Sequence, residues 1–132
     1  LKKNIKKISK IIEKFNKKKI RTSLFINPSL EDVKLAKKIG SKCIELHTGH
    51  LSKLIKKNKN YKKQLKKFSN CVRLANSLKL KVHAGHGIDY KTTRILSRIK
   101  YIEEFNIGHF LIGESIFDGL KKVINKIKNL SK

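Results

Sequence analysis

Four times along this chain a short apolar run rich in β-formers gives way to a segment of helical periodicity, and that alternation restricts it to few folds. Strands that alternate with helices pair in parallel, because each crossover returns the chain to the same end of the sheet. Residues 1–18 come first and place Leu1, Ile5, Ile8, Ile12 and Phe15 at steps of three and four, which predicts an amphipathic helix. Residues 20–26 read as the first strand, closed by Asn27-Pro28-Ser29, with Ser29 as N-cap of a helix carrying Val33, Leu35, Ala36 and Ile39 and stopped by Gly40. Residues 43–46 form the second strand and run into His47-Thr48-Gly49-His50, followed by a helical turn over 51–55 and a loop rich in lysine and asparagine. Tyr61, Leu65, Phe68, Val72 and Ala75 mark a long helix. Residues 78–83 read as a third strand ahead of an Ala84-Gly85-His86-Gly87 turn, 92–99 as a short helix and 105–107 as a fourth strand. Phe117, Leu120, Val123, Ile124, Ile127 and Leu130 mark the closing helix. A helix followed by four strand–helix units is half of a (β/α)₈ barrel. A whole barrel takes roughly 250 residues, and this chain of 132 has the length of a single domain. Half a barrel leaves its first and last strands unpaired, so either further residues or a second copy must cover those edges.

The formal charge of +25 raises the possibility of a nucleic-acid partner. Two features argue against specific binding. Among the 34 basic residues only Arg21, Arg73, Arg94 and Arg98 are arginines, the residue favoured for reading bases, and the lysines are spread over every polar helix face. Lysine, asparagine and isoleucine share A/T-rich codons, so their joint enrichment reads as genome composition. No apolar run approaches the roughly 20 residues of a membrane span, and the lysine-studded start is unlike a secretory signal. Cys43 and Cys71 have neither C-x-x-C nor zinc spacing and read as reduced packing thiols of a cytoplasmic protein.

The residues able to do chemistry gather where strands end, which is where an α/β barrel keeps its active site. Strand alternation puts Cys43, Glu45 and His47 on one face and Ile44 and Leu46 on the other. A carboxylate at Glu45 is either a functional group in a barrel mouth or half of a buried salt bridge to a lysine. His86, framed by Gly85 and Gly87, is a candidate acid–base or ligand group. Gly87 offers a closely approachable backbone N–H. Gly108 and His109 open a helix after the fourth strand, the place for a phosphate cradle, unless Gly108 merely fits a tight turn. His47, His50 and His83 are weaker candidates. The spacing of His47, His83 and His86 matches no metal motif, so no metal site is expected.

On Ser23-Leu24-Phe25-Ile26, Ile44-Glu45-Leu46-His47-Thr48-Gly49, Val82-His83-Ala84-Gly85-His86-Gly87-Ile88-Asp89-Tyr90 and Glu104-Phe105-Asn106-Ile107-Gly108-His109, the chain resembles the C-terminal half of the pyridoxine 5′-phosphate synthases. The resemblance spans nearly the whole chain. It implies a TIM barrel that condenses 3-amino-2-oxopropyl phosphate with 1-deoxy-D-xylulose 5-phosphate, releasing phosphate and water, without a metal or redox cofactor. It further implies His86 as proton donor, Glu45 as stabiliser of the transition state, and Gly87, Gly108 and His109 as ligands of the phosphorylated substrates. The family assembles as octamers. The chain departs from the family pattern at His83, where the family has asparagine, and at Asn27, where it has aspartate. The family's N-terminal half, with a further catalytic histidine and a glutamate base, has no counterpart in this sequence. Residues 1–132 alone are therefore expected not to complete the reaction. Leu1 in place of methionine points the same way. The alternatives are a phosphate-binding half barrel without catalysis of its own and a basic nucleic-acid-binding protein.

Overall fold

The computed structural model describes residues 2–131. A 3-10 turn at Lys2–Asn4 leads into α1 (Ile5–Lys17). Then come β1 (Ser23–Ile26), α2 (Leu30–Lys38), β2 (Cys43–His47), α3 (Gly49–Lys56), α4 (Lys62–Ser77), β3 (Lys81–Gly85), α5 (Tyr90–Leu96), β4 (Glu104–Asn106), α6 (His109–Asp118) and α7 (Leu120–Leu130). Leu1, expected to begin the apolar stripe of the first helix, lies outside the described residues. The four strands pair in parallel in the order β1-β2-β3-β4. This is the architecture of half a TIM barrel, as the strand–helix alternation predicts.

Strand pleating divides the sheet into two chemically different faces. Leu24, Ile26, Ile44, Leu46, Val82 and Ala84 point to the helices and join a core with Val33 and Ala36 of α2, Leu51 and Ile55 of α3, Phe68, Val72 and Ala75 of α4, and Leu96 of α5. The opposite face carries Ser23, Phe25, Cys43, Glu45, His47, Lys81, His83, Gly85, Glu104 and Asn106. Parallel sheets are normally covered on both sides. Here the helices cover one, and the other is the surface a closed barrel would turn inward. Register puts the last residues of three strands at one level, with His47 opposite Gly85 and Gly85 opposite Asn106.

Four helices end in the same way, and this explains where strand boundaries depart from expectation. After α1, α2, α3 and α4 the chain enters the left-handed region at Lys19, Gly40, Asn58 and Lys79. At each end two backbone N–H groups fold back on the last turn. For α4, Lys79 N–H donates to Asn76 O and Leu80 N–H to Ala75 O, both at 2.9 Å. Ile20 occupies the same position behind α1, donating to Phe15 O. Ile20 and Leu78–Leu80 therefore belong to helix ends, and the first and third strands begin at Ser23 and Lys81. Ala84 and Gly85, expected in a turn, complete β3. Of these four ends only that of α2 is announced by a glycine, Gly40; lysine or asparagine takes the strained conformation at the other three.

Two further boundaries differ. Ser29 stands at the N-cap of α2 in extended conformation, but its hydroxyl does not cap the helix. Asp89 does cap α5, accepting from Thr92 N–H at 2.8 Å, so that helix starts two residues earlier than its apolar pattern suggests. The closing segment is broken by Gly119 into α6 and α7, and Phe117, expected to pack, is 88% exposed. Val123 and Ile127 carry the burial of α7.

A left-handed lysine costs about 1 kcal/mol relative to glycine. Lys79→Gly is therefore expected to raise unfolding stability by up to about 1 kcal/mol, read as a higher urea midpoint at unchanged slope. An unchanged or lower midpoint would contradict this account of the helix end.

Candidate active site

A buried threonine joins the ends of β2 and β3. Thr48 is fully buried, and its backbone N–H donates to Gly85 O at 2.8 Å. Its hydroxyl is shared between Gly85 O at 2.8 Å and His86 O at 2.6 Å. Both carbonyls of the turn are thereby held. His86 then sits at φ +80°, unusual for a residue with a side chain, and Gly87 at φ +74°. The exposed His86 ring stands over the sheet end beside His47, with ring centroids 4.7 Å apart. Phe25 meets the other side of His47 edge-on at 5.3 Å. Gly49 makes room for this stack, since a Cβ there would press within 2.8 Å of His86 and 2.9 Å of His47.

Glu45 points up the inner face instead of across to a lysine. Its Oε2 accepts a hydrogen bond from Asn106 Nδ2 at 2.6 Å, and its carboxylate lies directly over Gly85, where any Cβ would collide with it. The salt-bridge alternative for Glu45 is thus replaced by a hydrogen bond to the end of β4. The second carboxylate of this layer is occupied separately. Glu104 Oε1 lies 3.0 Å from His83 Nε2 and 3.5 Å from Arg21 Nη2. His83 also contacts Cys43 Sγ at 3.3 Å, and burial pushes that thiol upward in pKa despite the Ser23 hydroxyl and Arg21 nearby. His83 is therefore a buried, partnered residue of the inner face, separate from the His47–His86 pair.

Burial first, and then the neighbouring His86 ring, push the His47 imidazole below its ordinary value of 6.5, while Glu45 acts in the opposite direction. Near neutral pH this leaves His47 uncharged beside His86.

A cavity of about 420 Å³ opens at the ends of β3 and β4. His86, Gly87, Gly108 and His109 all line it, together with Lys56 and Asn106. Four of the five residues expected to form the site are thus brought together. The fifth, Glu45, is one hydrogen bond away through Asn106. Gly108 has φ −110°, which any residue can adopt, and apart from its own chain neighbours no described atom lies within 4 Å of where its Cβ would be. The tight-turn explanation for Gly108 therefore lacks support; the missing side chain leaves open space at the N-terminus of α6, where backbone N–H groups attract anions. A larger cavity of about 810 Å³ lies between α5 and α7, but none of the strand-end histidines reaches it. Among the described residues, no three histidine, cysteine or acidic side chains gather in a way that could hold a metal ion. No described helix is long and apolar enough to cross a membrane.

Motif reading assigns no role of their own to Thr48, Asn106 and Lys56. Thr48 and Asn106 lie inside the segments that carry the resemblance, yet their roles depend on cross-strand register, which a single sequence does not display. Lys56 had no signal at all in a chain where lysine dominates.

Curated relatives extend the picture. A pyridoxine 5′-phosphate synthase of Pelagibacter ubique is 59% identical over 129 residues, covering 98% of this chain and 54% of that protein. Namesakes from Zymomonas mobilis and Elusimicrobium minutum are each 39% identical, over 126 and 131 residues, covering 96% and 99% of this chain and 48% and 54% of those proteins. The chain spans about half the length of the curated relatives it matches. The family model described as pyridoxal phosphate biosynthesis protein PdxJ matches residues 1–132, and the chain belongs to that family.

Proposed function

We propose that this chain is the C-terminal half of a pyridoxine 5′-phosphate synthase barrel and carries the phosphate cradle and part of the proton-transfer apparatus of the condensation between 3-amino-2-oxopropyl phosphate and 1-deoxy-D-xylulose 5-phosphate. The observation that carries this reading is the convergence of His86, Gly87, Gly108 and His109 on one cavity, with Glu45 tied to its wall through Asn106. Backbone N–H groups at Gly87 and at the start of α6 suit a phosphate, and the His109 imidazole adds a side-chain donor. His86 reaches the cavity from a rigidly held turn and serves as proton donor in the dehydration steps. Glu45 presents a carboxylate to positive charge that develops as amine and carbonyl combine. The polar inner face and unpaired edges of β1 and β4 fit a second half that closes the barrel and supplies the remaining acid–base groups. A cytoplasmic, octameric assembly follows from the same family reading.

A continuous barrel joining the first half of the Pelagibacter ubique relative to this chain tests the reading. Turnover is expected from the joined barrel and not from the 132-residue chain. If the joined barrel folds and binds substrate phosphate but forms no product, the non-catalytic phosphate-binding reading replaces this one. Within the active barrel, His86→Ala is expected to lower kcat by about 10²- to 10⁴-fold, and Glu45→Gln by about 10²-fold or more; normal turnover in either would remove that residue's role.

Thr48→Val keeps the shape of the side chain but leaves the Gly85 and His86 carbonyls without the hydroxyl. A stability loss of about 1–3 kcal/mol in urea denaturation is expected, with a fall in kcat as the His86 turn loosens. An unperturbed kcat would show that the turn holds without the hydroxyl.

His47 makes a separate, pH-dependent prediction. Its folded-state pKa is lowered, so the unfolded chain binds that proton more tightly. Its effect on stability vanishes above the ordinary 6.5 and becomes destabilising as pH falls below it. In NMR titrations the His47 ring should titrate below 6.5 and move upward in His86→Gln, where one of the two lowering influences is gone. A His47 titration indifferent to His86→Gln would contradict the pairing of the two rings.

A further inference from the structure

Two cavities at the strand ends share a wall, and that wall holds a cation. The cavity containing Gly108 and His109 has Lys56 as the one lysine or arginine among the described residues that line it, and no carboxylate lines it. A neighbouring cavity of about 410 Å³, bounded by His47, Gly49 and Ser52, shares with it Lys56, His86 and Gly87. Lys56 closes the last turn of α3, so its position is set by the burial of Leu51 and Ile55 on the same helix. Its Nζ lies 4.0 Å from Asp89 Oδ2, beyond hydrogen-bond reach. Asp89 meanwhile spends its other oxygen on the cap of α5. The carboxylate keeps the ammonium near the cavity without closing a hydrogen bond to it. Directly beneath Gly87, Ser52 is 1% exposed and its hydroxyl has no hydrogen-bond partner. Buried hydroxyls are ordinarily satisfied, so the floor under Gly87, on the side of the neighbouring cavity, holds a hydroxyl without a protein partner.

Backbone N–H groups donate hydrogen bonds but carry no net charge, whereas a phosphate monoester near neutral pH carries nearly two negative charges. We propose that Lys56 is the cationic anchor of the phosphate held between the Gly87 turn and the Gly108–His109 helix start. This deepens the proposed function and rests on the reading that a phosphate monoester occupies that cavity. Lys56 addresses the phosphate and not the carbons that join, so it governs binding and leaves the chemical step to His86 and Glu45.

Inorganic phosphate titrated into the 132-residue chain at fixed ionic strength provides the test, followed through the Gly108 amide and His109 ring signals in NMR. Lys56→Met is expected to weaken phosphate binding about tenfold, the loss of one charge-assisted hydrogen bond. Lys56→Arg should restore affinity to within about twofold, and Lys66→Met, which removes the same charge from exposed α4, should leave it unchanged. In the joined barrel Lys56→Met should raise KM for a phosphorylated substrate by a similar factor with kcat within about twofold. If Gly108 and His109 respond to phosphate but Lys56→Met behaves like Lys66→Met, the role of Lys56 is overturned while the cavity stands. If Gly108 and His109 do not respond in the unmodified chain, the phosphate reading of the cavity fails and the anchor falls with it. A fall in kcat without a change in KM would also overturn the anchor, since that pattern marks a loss confined to the chemical step.

Discussion

The hydroxyl of Thr48 is the contact on which the rest of the site depends. It closes the end of β2 onto the end of β3 by holding the carbonyls of Gly85 and His86. A histidine with positive φ is strained by about 1–2 kcal/mol, and such strain persists only where the surroundings over-determine it. The threonine supplies that determination from a fully buried position. The same contact sets the backbone at His86 and Gly87 together with the cavity wall, and pre-organisation of this kind suits the proposed proton transfer and phosphate binding.

The inner face of the sheet shows how two carboxylates in one layer are kept apart in role. Glu104 is engaged by His83 and Arg21, whereas Glu45 meets only the amide of Asn106. One acid lies between His83 and Arg21 low on the face, and the other rises toward the strand ends. Hydrophobic burial on the opposite face, from Ile44 and Leu46 through Phe68 and Val72, sets the pleat that makes this separation possible. Core and site are thus two consequences of the same alternation along β2.

Much of this was legible in the residues themselves. The four strand–helix units, the two faces of β2 and the placing of His86, Gly87, Gly108 and His109 at strand ends follow from periodicity and from the chemistry of glycine and histidine. What was not legible has physical causes. Lys19 and Lys79 take a conformation usually announced by glycine, so the ends of α1 and α4 were hidden and Ile20 and Leu78–Leu80 read as strand. Phe117 has the spacing of a core residue, but Gly119 breaks the helix and turns it outward. The partner of Glu45 depends on which residue of β4 stands level with the end of β3, a property of register between segments far apart in sequence. The His83–Glu104 pair is hidden for the same reason, since it links neighbours in the sheet that a linear reading keeps separate.

The overlap of the Glu45 carboxylate with the space above Gly85 has a consequence for how this site can change over generations. The two positions lie 40 residues apart, yet they compete for one volume: the Glu45 carboxylate fills the space that a side chain at 85 would need. A methyl added at 85 obliges the carboxylate, the far end of a flexible side chain, to swing away from Asn106. Shortening residue 45 frees the same space without moving anything else. A change at 85 is therefore felt first as a loss of aim at 45.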